Sequence, residues 1–150
     1  MKTHTSVSAR GILAQARFFS GLDKAQLERV AALGQARTFQ ADTRIYTVGD
    51  AVDHFYVLAD GMVRFTLGLS KRDTAAGDII RRGDVFGWAA LVEGHTKRIA
   101  TAYCLTACEV VALDGTALTR LMESDARIGF GVMKKLAVLL TSELVALASG

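Results

Sequence analysis

The chain has 150 residues, of which 51% are hydrophobic and 22% charged, so its composition excludes disorder and favours one domain with a packed core. The formal charge of +3 is only mildly basic, and the paired cations are dispersed along the sequence, whereas nucleic-acid binding requires a basic patch. The most apolar run, residues 136–148, is too short to span a bilayer, and no secretory signal pattern precedes the first helix. We therefore expect a cytoplasmic protein that contacts neither membrane nor DNA.

The first part of the chain, residues 8–34, predicts helices. Asp23 is a favourable N-cap for the segment KAQLERVAAL that follows it, because its side chain can accept a hydrogen bond from an unpaired amide of the first turn. Gly34 is placed to end that helix. A helical unit therefore precedes the rest of the domain.

Residues 35–113 predict short strands, since β-branched and aromatic residues are common and Gly and Asp interrupt them at short intervals. The predicted strands cover residues 36–40, 43–49, 54–61, 62–68, 78–84 and 98–113. This pattern is typical of an antiparallel β-roll of the jelly-roll kind.

The two cysteines, Cys104 and Cys108, fall in the last of these segments. If they lie on one strand, their Cα atoms are about 13 Å apart, which is too far for a disulfide. We therefore expect two buried free thiols in a reducing compartment. The three histidines are far apart in the sequence, and none has a Cys or His neighbour at the spacing of metal ligands, so no metal site is predicted.

Residues 114–149 return to helix, and Asp125 can cap the longer of two predicted helices. The apolar stripe of this helix is broader than a lone surface helix needs, and it includes Ile128, Val132, Leu136, Leu139, Leu140, Leu144 and Leu147. One interpretation is that the whole stripe packs on the roll. The other, which we favour, is that part of it pairs with the same helix of a second chain and forms a homodimer.

The stretch GDVFGWAALVEGHTKRIATA is typical of a phosphate-binding device. Gly87 lets the backbone approach a ligand closely, so that its amide and those of Trp88, Ala89 and Ala90 can face an anion. Eleven residues later, Arg98 offers a planar guanidinium group, which stays protonated and can donate two parallel hydrogen bonds to a phosphate. Alone, this arginine would be read as a surface residue, but together with the glycine turn it predicts a phosphate site.

The order of helix, β-roll and long helix, with this device late in the roll, resembles the cyclic-nucleotide-binding domain of the catabolite-activator and fumarate-nitrate-regulator (Crp/Fnr) superfamily. FFSGLDKAQLERVAAL is similar to the opening helix of that family, and YTVGDAVDHFYVLADGMVRF to its central strand pair. GDVFGWAAL resembles its phosphate-binding cassette, and KRIATAYCLTACEVVAL the strand that follows. The resemblance implies a single α+β domain over residues 1–150, with an antiparallel β-roll between N-terminal helices and a long C-terminal helix.

The resemblance also implies a non-catalytic regulatory sensor whose ligand is cyclic AMP, cyclic GMP or a related phosphate, with no further cofactor. Relatives that bind cyclic AMP carry, at the position of Trp88, a glutamate that accepts a hydrogen bond from the ribose 2′-hydroxyl, whereas indole offers only a donor. Ile99 stands where many relatives have Ser, Thr or Ala. Thr141 and Ser142 lie near the base-contacting hydroxyls of the family, although plain helix surface explains them equally well.

Three states of the site remain open on the residues alone. The cassette can bind cyclic AMP or cyclic GMP weakly, it can hold a divergent nucleotide-type anion against the indole, or Trp88 can plug it. Retention of both Gly87 and Arg98 favours the second state, because a plugged pocket has no need of a buried cation.

Transcription factors of this superfamily continue into a helix-turn-helix domain, and this sequence stops at Gly150. We therefore expect a stand-alone sensor that relays ligand binding through its C-terminal helix to an effector protein. The alternative is a degenerate, non-binding dimeric β-roll that serves as a structural or interaction module.

Overall fold

The structure, a computed structural model, describes residues 9–69, 72–94 and 96–149 and contains two antiparallel sheets with helices before and after them. The helices are α1 (Ala9–Gln15), α2 (Lys24–Ala31), α3 (Gly115–Ser124) and α4 (Ala126–Ser149), with single-turn 3₁₀ helices at Arg17–Phe19 and Trp88–Leu91. The strands are β1 (Gly34–Phe39), β2 (Arg44–Tyr46), β3 (His54–Asp60), β4 (Val63–Leu69), β5 (Arg72–Ile80), β6 (Val85–Phe86), β7 (Thr101–Cys104) and β8 (Cys108–Asp114). This arrangement confirms the predicted α+β fold with an antiparallel β-roll.

Each sheet has four strands, in the orders β1-β8-β3-β6 and β2-β7-β4-β5. All neighbouring strands are antiparallel, and the register of β1 on β8 runs from Gly34 opposite Leu113 to Phe39 opposite Cys108. An isolated bridge between Ala51 and Lys97 joins the segment before β3 to the segment before β7. That bridge brings the start of β3 next to Arg98.

Strand β3 is buried on both faces and divides the core into two clusters. Because side chains alternate along a strand, Tyr56 and Leu58 point into the roll, while Phe55 and Val57 pack against the helices. The helix-side cluster joins α1, the 3₁₀ helix at Arg17–Phe19, α3 and α4 to the roll. A rigid, packed strand therefore supports the segment that lies beneath the cassette.

Helix α2 begins as predicted and ends earlier than predicted. Asp23 accepts a hydrogen bond from the Gln26 amide, and the Gln26 side chain accepts one from the Asp23 amide, which completes a capping box. The expectation that Gly34 ends this helix is wrong, because α2 ends at Ala31 and Gly34 opens β1. Glycine is required there for close packing, since a Cβ atom would lie 2.7 Å from Val111 Cγ1.

The predicted strand over residues 98–113 is in fact two strands, and the premise that Cys104 and Cys108 share one strand is wrong. Cys104 ends β7 and Cys108 begins β8, which belong to different sheets. Both thiols are free and buried, and burial raises the pKa of Cys104 to about 12, with the adjacent Cys108 adding to the shift. Strand β5 also begins at Arg72, before the predicted start at residue 78.

Helix α4 begins after Asp125, whose side chain accepts hydrogen bonds from the amides of Arg127 and Ile128 as predicted. One face of the helix is buried against the roll and α3 through Ile128, Val132 and Leu136. Within the described residues, none of the helices combines the length and apolar character that crossing a membrane requires.

Candidate functional site

The turn of the predicted phosphate-binding cassette starts at Gly87, which lies between β6 and the 3₁₀ helix Trp88–Leu91. Its φ of 79° is a left-handed conformation that favours glycine. A Cβ atom here would lie 3.0 Å from Tyr56 Cδ2, 3.1 Å from the His54 carbonyl oxygen and 3.2 Å from Arg98 Nη1. Both the backbone angle and the crowding therefore require glycine.

The guanidinium of Arg98 is buried, with only 3% of the residue exposed. Its Nη1 donates to the Gly87 carbonyl at 3.2 Å, and its Nη2 donates to the His54 carbonyl at 2.6 Å. Its Nε–H has no hydrogen-bond partner among the described residues. A buried donor without a partner is costly, so this N–H favours an acceptor at the site.

Aromatic and acidic groups hold Arg98 in place. Its guanidinium carbon lies 4.1 Å from the centre of the Tyr46 ring, a favourable cation–π distance. Burial raises the pKa of Tyr46 well above its usual value, so this phenol stays neutral next to the cation. The carboxylate of Asp53 lies 3.6 Å from Arg98 Nη2 and balances part of its charge.

A cavity of about 600 Å³ opens beside the cassette. Its floor is the roll, through Tyr46, Phe65, Gly87 and Arg98, and its other side is α4. The lining is mostly apolar, which is typical of pockets that hold small organic ligands with few polar contacts. Trp88 lines this cavity without filling it, so the indole does not plug the site.

The indole of Trp88 connects the cassette to α4. Its Nε1 donates to Glu143 Oε2 at 2.9 Å, across a sequence separation of 55 residues. Burial raises the pKa of Glu143, and the bond from Trp88 opposes that shift. The tryptophan that replaces the expected glutamate is therefore paired with a glutamate on another element.

Six of the eight predicted site residues line the same cavity, namely Gly87, Trp88, Ala89, Arg98, Ile99 and Ser142. Ile99 does so from the rim, since 54% of the residue is exposed. The amide of Ala90 donates to the Gly87 carbonyl at 3.2 Å, and Ala90 is not part of the lining. Thr141 also lies outside it, and its hydroxyl donates to the Ala137 carbonyl of its own helix at 2.8 Å.

Sequence reasoning missed Tyr46, Asp53 and the role of Glu143. The only available signal for Glu143 was a charge that interrupts the apolar run of the last helix. Among the described residues, no three His, Cys, Asp or Glu side chains gather as metal ligands.

The model of the family "Cyclic nucleotide-binding domain" matches residues 36–125, more than half of the 150-residue chain. The chain belongs to the cyclic nucleotide-binding domain family. The matched region contains the roll from the third residue of β1 onward, the cassette and α3, so the floor of the cavity lies within the part that the family shares. The resemblance found in the sequence is thereby confirmed.

The chain is also similar to segments of larger proteins. The chain is 28% identical over 111 residues to a cAMP-dependent protein kinase regulatory subunit of Schizosaccharomyces pombe, covering 74% of this chain and 26% of that protein. It is 29% identical over 134 residues to Glutaminase 1 of Bradyrhizobium diazoefficiens, covering 89% of this chain and 21% of that protein. The domain thus spans about a quarter of the length of these relatives or less.

Among solved structures, a Geobacter metallireducens protein described as a cyclic nucleotide-binding protein superposes with a TM-score of 0.78. The match covers 93% of this chain and 99% of the other at 21% identity, which shows a shared fold.

Proposed function

We propose that this domain is a regulatory sensor that binds an anionic, nucleotide-type ligand in its divergent cassette and relays binding through α4 to a partner protein. The observation that carries the proposal is the buried guanidinium of Arg98, whose Nε–H lacks a partner and which lines a cavity of about 600 Å³. An anionic oxygen is the partner that such a donor prefers. The similarity to a cAMP-dependent protein kinase regulatory subunit supports a cyclic nucleotide as that ligand.

The position of α4 supports the relay, because the two faces of this helix differ in what they contact. One face lines the cavity through Val138, Leu139, Ser142 and Glu143. The opposite face exposes large apolar side chains, with Phe130 71% exposed and Leu144 67% exposed. We propose that the second face pairs with another copy of this chain and that a ligand in contact with the first face alters this pairing.

The first test is binding of cyclic AMP and cyclic GMP, measured by isothermal titration calorimetry and by thermal denaturation. At about a hundred times Kd, a ligand adds roughly 2.7 kcal/mol of stability, which raises Tm by roughly 5–10 °C in a chain of this size. Arg98→Ala should abolish both signals. Arg120→Ala, which removes an exposed arginine of α3, is the matched control and should leave both unchanged.

Arg98→Lys extends this test if Arg98→Ala does not fold. Lysine keeps a cation at the site but loses the Nε–H and the planar fork, so binding should weaken by at least about ten-fold. Unchanged affinity in Arg98→Lys would contradict the proposed role of Arg98. Absence of a response in the wild-type protein to both cyclic nucleotides would favour a structural module that binds no cyclic nucleotide.

A further inference from the structure

The imidazole of His54, at the start of β3, lies between an acid and an arginine next to the site. On one side, Arg37 of β1 brings its Nη2 to 3.2 Å from His54 Nε2. On the other side, His54 Nδ1 lies 3.1 Å from Asp53 Oδ1, and the same oxygen lies 3.6 Å from Arg98 Nη2. A continuous chain of contacts, which we call the His54 network, therefore joins Arg37, His54, Asp53 and Arg98.

The contacts of His54 show which protonation state this arrangement requires. An arginine can only donate hydrogen bonds, so His54 Nε2 accepts the bond from Arg37 and carries no hydrogen. The imidazole is therefore neutral, with its single N–H at Nδ1. Among the described residues, the buried Nδ1 makes no well-aligned hydrogen bond, although the Asp53 carboxylate lies beside it. A neutral ring thus lies next to a carboxylate that would stabilise a positive charge.

Two further titratable groups lie close to His54. The centre of the Tyr56 ring lies 6.1 Å from that of the imidazole, and burial raises the pKa of this phenol, so it stays neutral. Asp114, opposite His54 on β8, caps α3 by accepting a hydrogen bond from the Ala117 amide. Within the His54 network itself, Asp53 favours a charged imidazole and the two arginines oppose it.

The His54 network reaches from solvent to the buried guanidinium of the site. The Asp53 side chain is 62% exposed, that of His54 17% and that of Arg98 2%. Burial acts to raise the pKa of Asp53, but the contacts with His54 and the charge of Arg98 outweigh it, so the pKa lies below its usual value. Asp53 is therefore ionised near neutral pH, and a change of charge on His54 acts on Arg98 through this carboxylate.

We propose that His54 is a positioning residue that makes anion binding at Arg98 depend on pH. A proton from solvent adds to Nε2, which then no longer accepts the bond from Arg37, and Arg37 retains its contact with Gln35 Oε1 at 3.4 Å. The charged imidazole attracts the Asp53 carboxylate, which leaves Arg98 less neutralised, and it adds a positive charge near the site. Both effects favour an anion. This inference rests on the proposed function and adds a regulation of the same site.

The coupling between proton and ligand has a definite sign. Because a charged His54 favours the anion, a bound anion favours a charged His54, and binding takes up protons from solvent. The affinity for a monoanion therefore rises as the pH falls from about 8 to about 5.5, the range in which imidazoles ordinarily change charge. We expect a rise of roughly three- to ten-fold, as an added charge near a partly exposed site predicts.

The test is isothermal titration calorimetry with cyclic AMP and cyclic GMP at both pH values and constant ionic strength. Each nucleotide carries a phosphate diester that stays singly charged over this range. His54→Asn keeps an N–H donor beside Asp53 but cannot gain a charge, so the rise in affinity should shrink to about two-fold or less. Glu143, whose pKa burial raises, is present in both proteins, so any rise that it causes is common to them.

His95→Gln is the matched control for a histidine substitution. His95 lies between Gly87 and Arg98 in the sequence, so its replacement tests whether another imidazole causes the pH dependence. This variant should retain the rise in affinity of the wild-type protein.

Arg37→Gln gives an independent test if His54→Asn does not fold. Glutamine keeps a donor for His54 Nε2 but removes a charge that opposes protonation of the ring. The midpoint of the affinity profile should therefore move upward by about 0.5 or more on the pH scale. Arg44→Gln, which removes an exposed arginine of β2, is its control and should leave the midpoint unchanged.

The outcomes separate this inference from the proposed function. If a cyclic nucleotide binds and Arg98→Lys weakens it, while the affinity is equal at both pH values or rises equally in wild type and His54→Asn, the role of His54 is overturned and the sensor remains. If neither nucleotide binds at either pH, both the cyclic-nucleotide sensor and the role of His54 are overturned.

Discussion

Gly87 shows most directly how one residue shapes the site. It combines a left-handed backbone, with φ of 79°, and close contacts to Tyr56, His54 and Arg98. Its carbonyl also accepts a hydrogen bond from Arg98 Nη1, so the turn and the guanidinium stabilise each other. The cassette therefore depends on a residue that binds no ligand through a side chain.

Replacing this glycine by alanine should cost more stability than the backbone angle alone explains. Gly49 is the matched control, because its φ is 90° and nothing lies within 4 Å of the position of a Cβ atom. Gly49→Ala should cost about 1–2 kcal/mol from the left-handed backbone. Gly87→Ala should cost at least about 1 kcal/mol more, because a methyl group also overpacks the site. Urea unfolding of both variants checks this, and equal costs would show that the crowding is relieved without strain.

At the scale of elements, a hydrogen bond connects the 3₁₀ helix Trp88–Leu91 of the cassette to α4. Trp88 Nε1 and Glu143 Oε2 provide it, and both residues line the cavity. The carboxylate is desolvated in this contact, which holds its pKa above the ordinary value of 4.5. The ionised form of Glu143 therefore weakens the packing of α4 on the roll.

This contact predicts a pH dependence with a definite sign. Because the pKa of Glu143 is raised, the Glu143 carboxyl stays protonated to higher pH in the folded protein than in the unfolded chain. The free energy of unfolding therefore falls as the pH rises from the unfolded-state pKa of Glu143 through its folded-state pKa. Glu143→Gln should therefore raise Tm relative to wild type at pH 7, and the difference should shrink near pH 4. Thermal denaturation at both pH values checks this against Glu123→Gln, which makes the same charge change at an exposed position of α3. An equal difference in Tm between Glu143→Gln and wild type at both pH values would contradict the effect of Glu143.

At the scale of the whole molecule, the outer face of α4 carries a row of exposed apolar side chains, which we call the apolar seam. Phe130, Met133 and Leu144 are exposed on it, and residues 130, 133, 137, 140 and 144 follow the alternating three- and four-residue spacing of a coiled coil. An exposed seam with this period fits the same seam of a second copy. Homodimerisation through α4 stays a prediction, and the seam is its physical basis.

Sedimentation of a charged variant tests the assembly. The wild-type protein should sediment as a dimer, and the double variant Phe130→Lys/Leu144→Lys should sediment as a monomer of 16.1 kDa. Val48→Lys is the control, because it places a lysine on an exposed apolar residue that lies outside α4. A wild-type monomer, or a dimer that survives the double variant, would contradict the seam.

Local patterns made much of the fold predictable. The caps at Asp23 and Asp125 and the roll between helices follow from short-range signals, since a cap needs only residues within one turn and a strand needs only alternation and turn residues. Errors arose where local signals are ambiguous. Gly34 looks like a helix end but serves close packing against Val111, and the turn between Cys104 and Cys108 carries no Gly or Pro.

The sequence by itself determined the fold family, the cassette and the pairing of Gly87 with Arg98, because those signals are short motifs whose order and spacing can be read along the chain. Only the tertiary structure decided that Trp88 leaves the cavity open and bonds Glu143, and that Tyr46 and Asp53 hold Arg98. The physical reason is that these contacts join residues on different elements, and their geometry exists only once the roll has closed and α4 has packed across it.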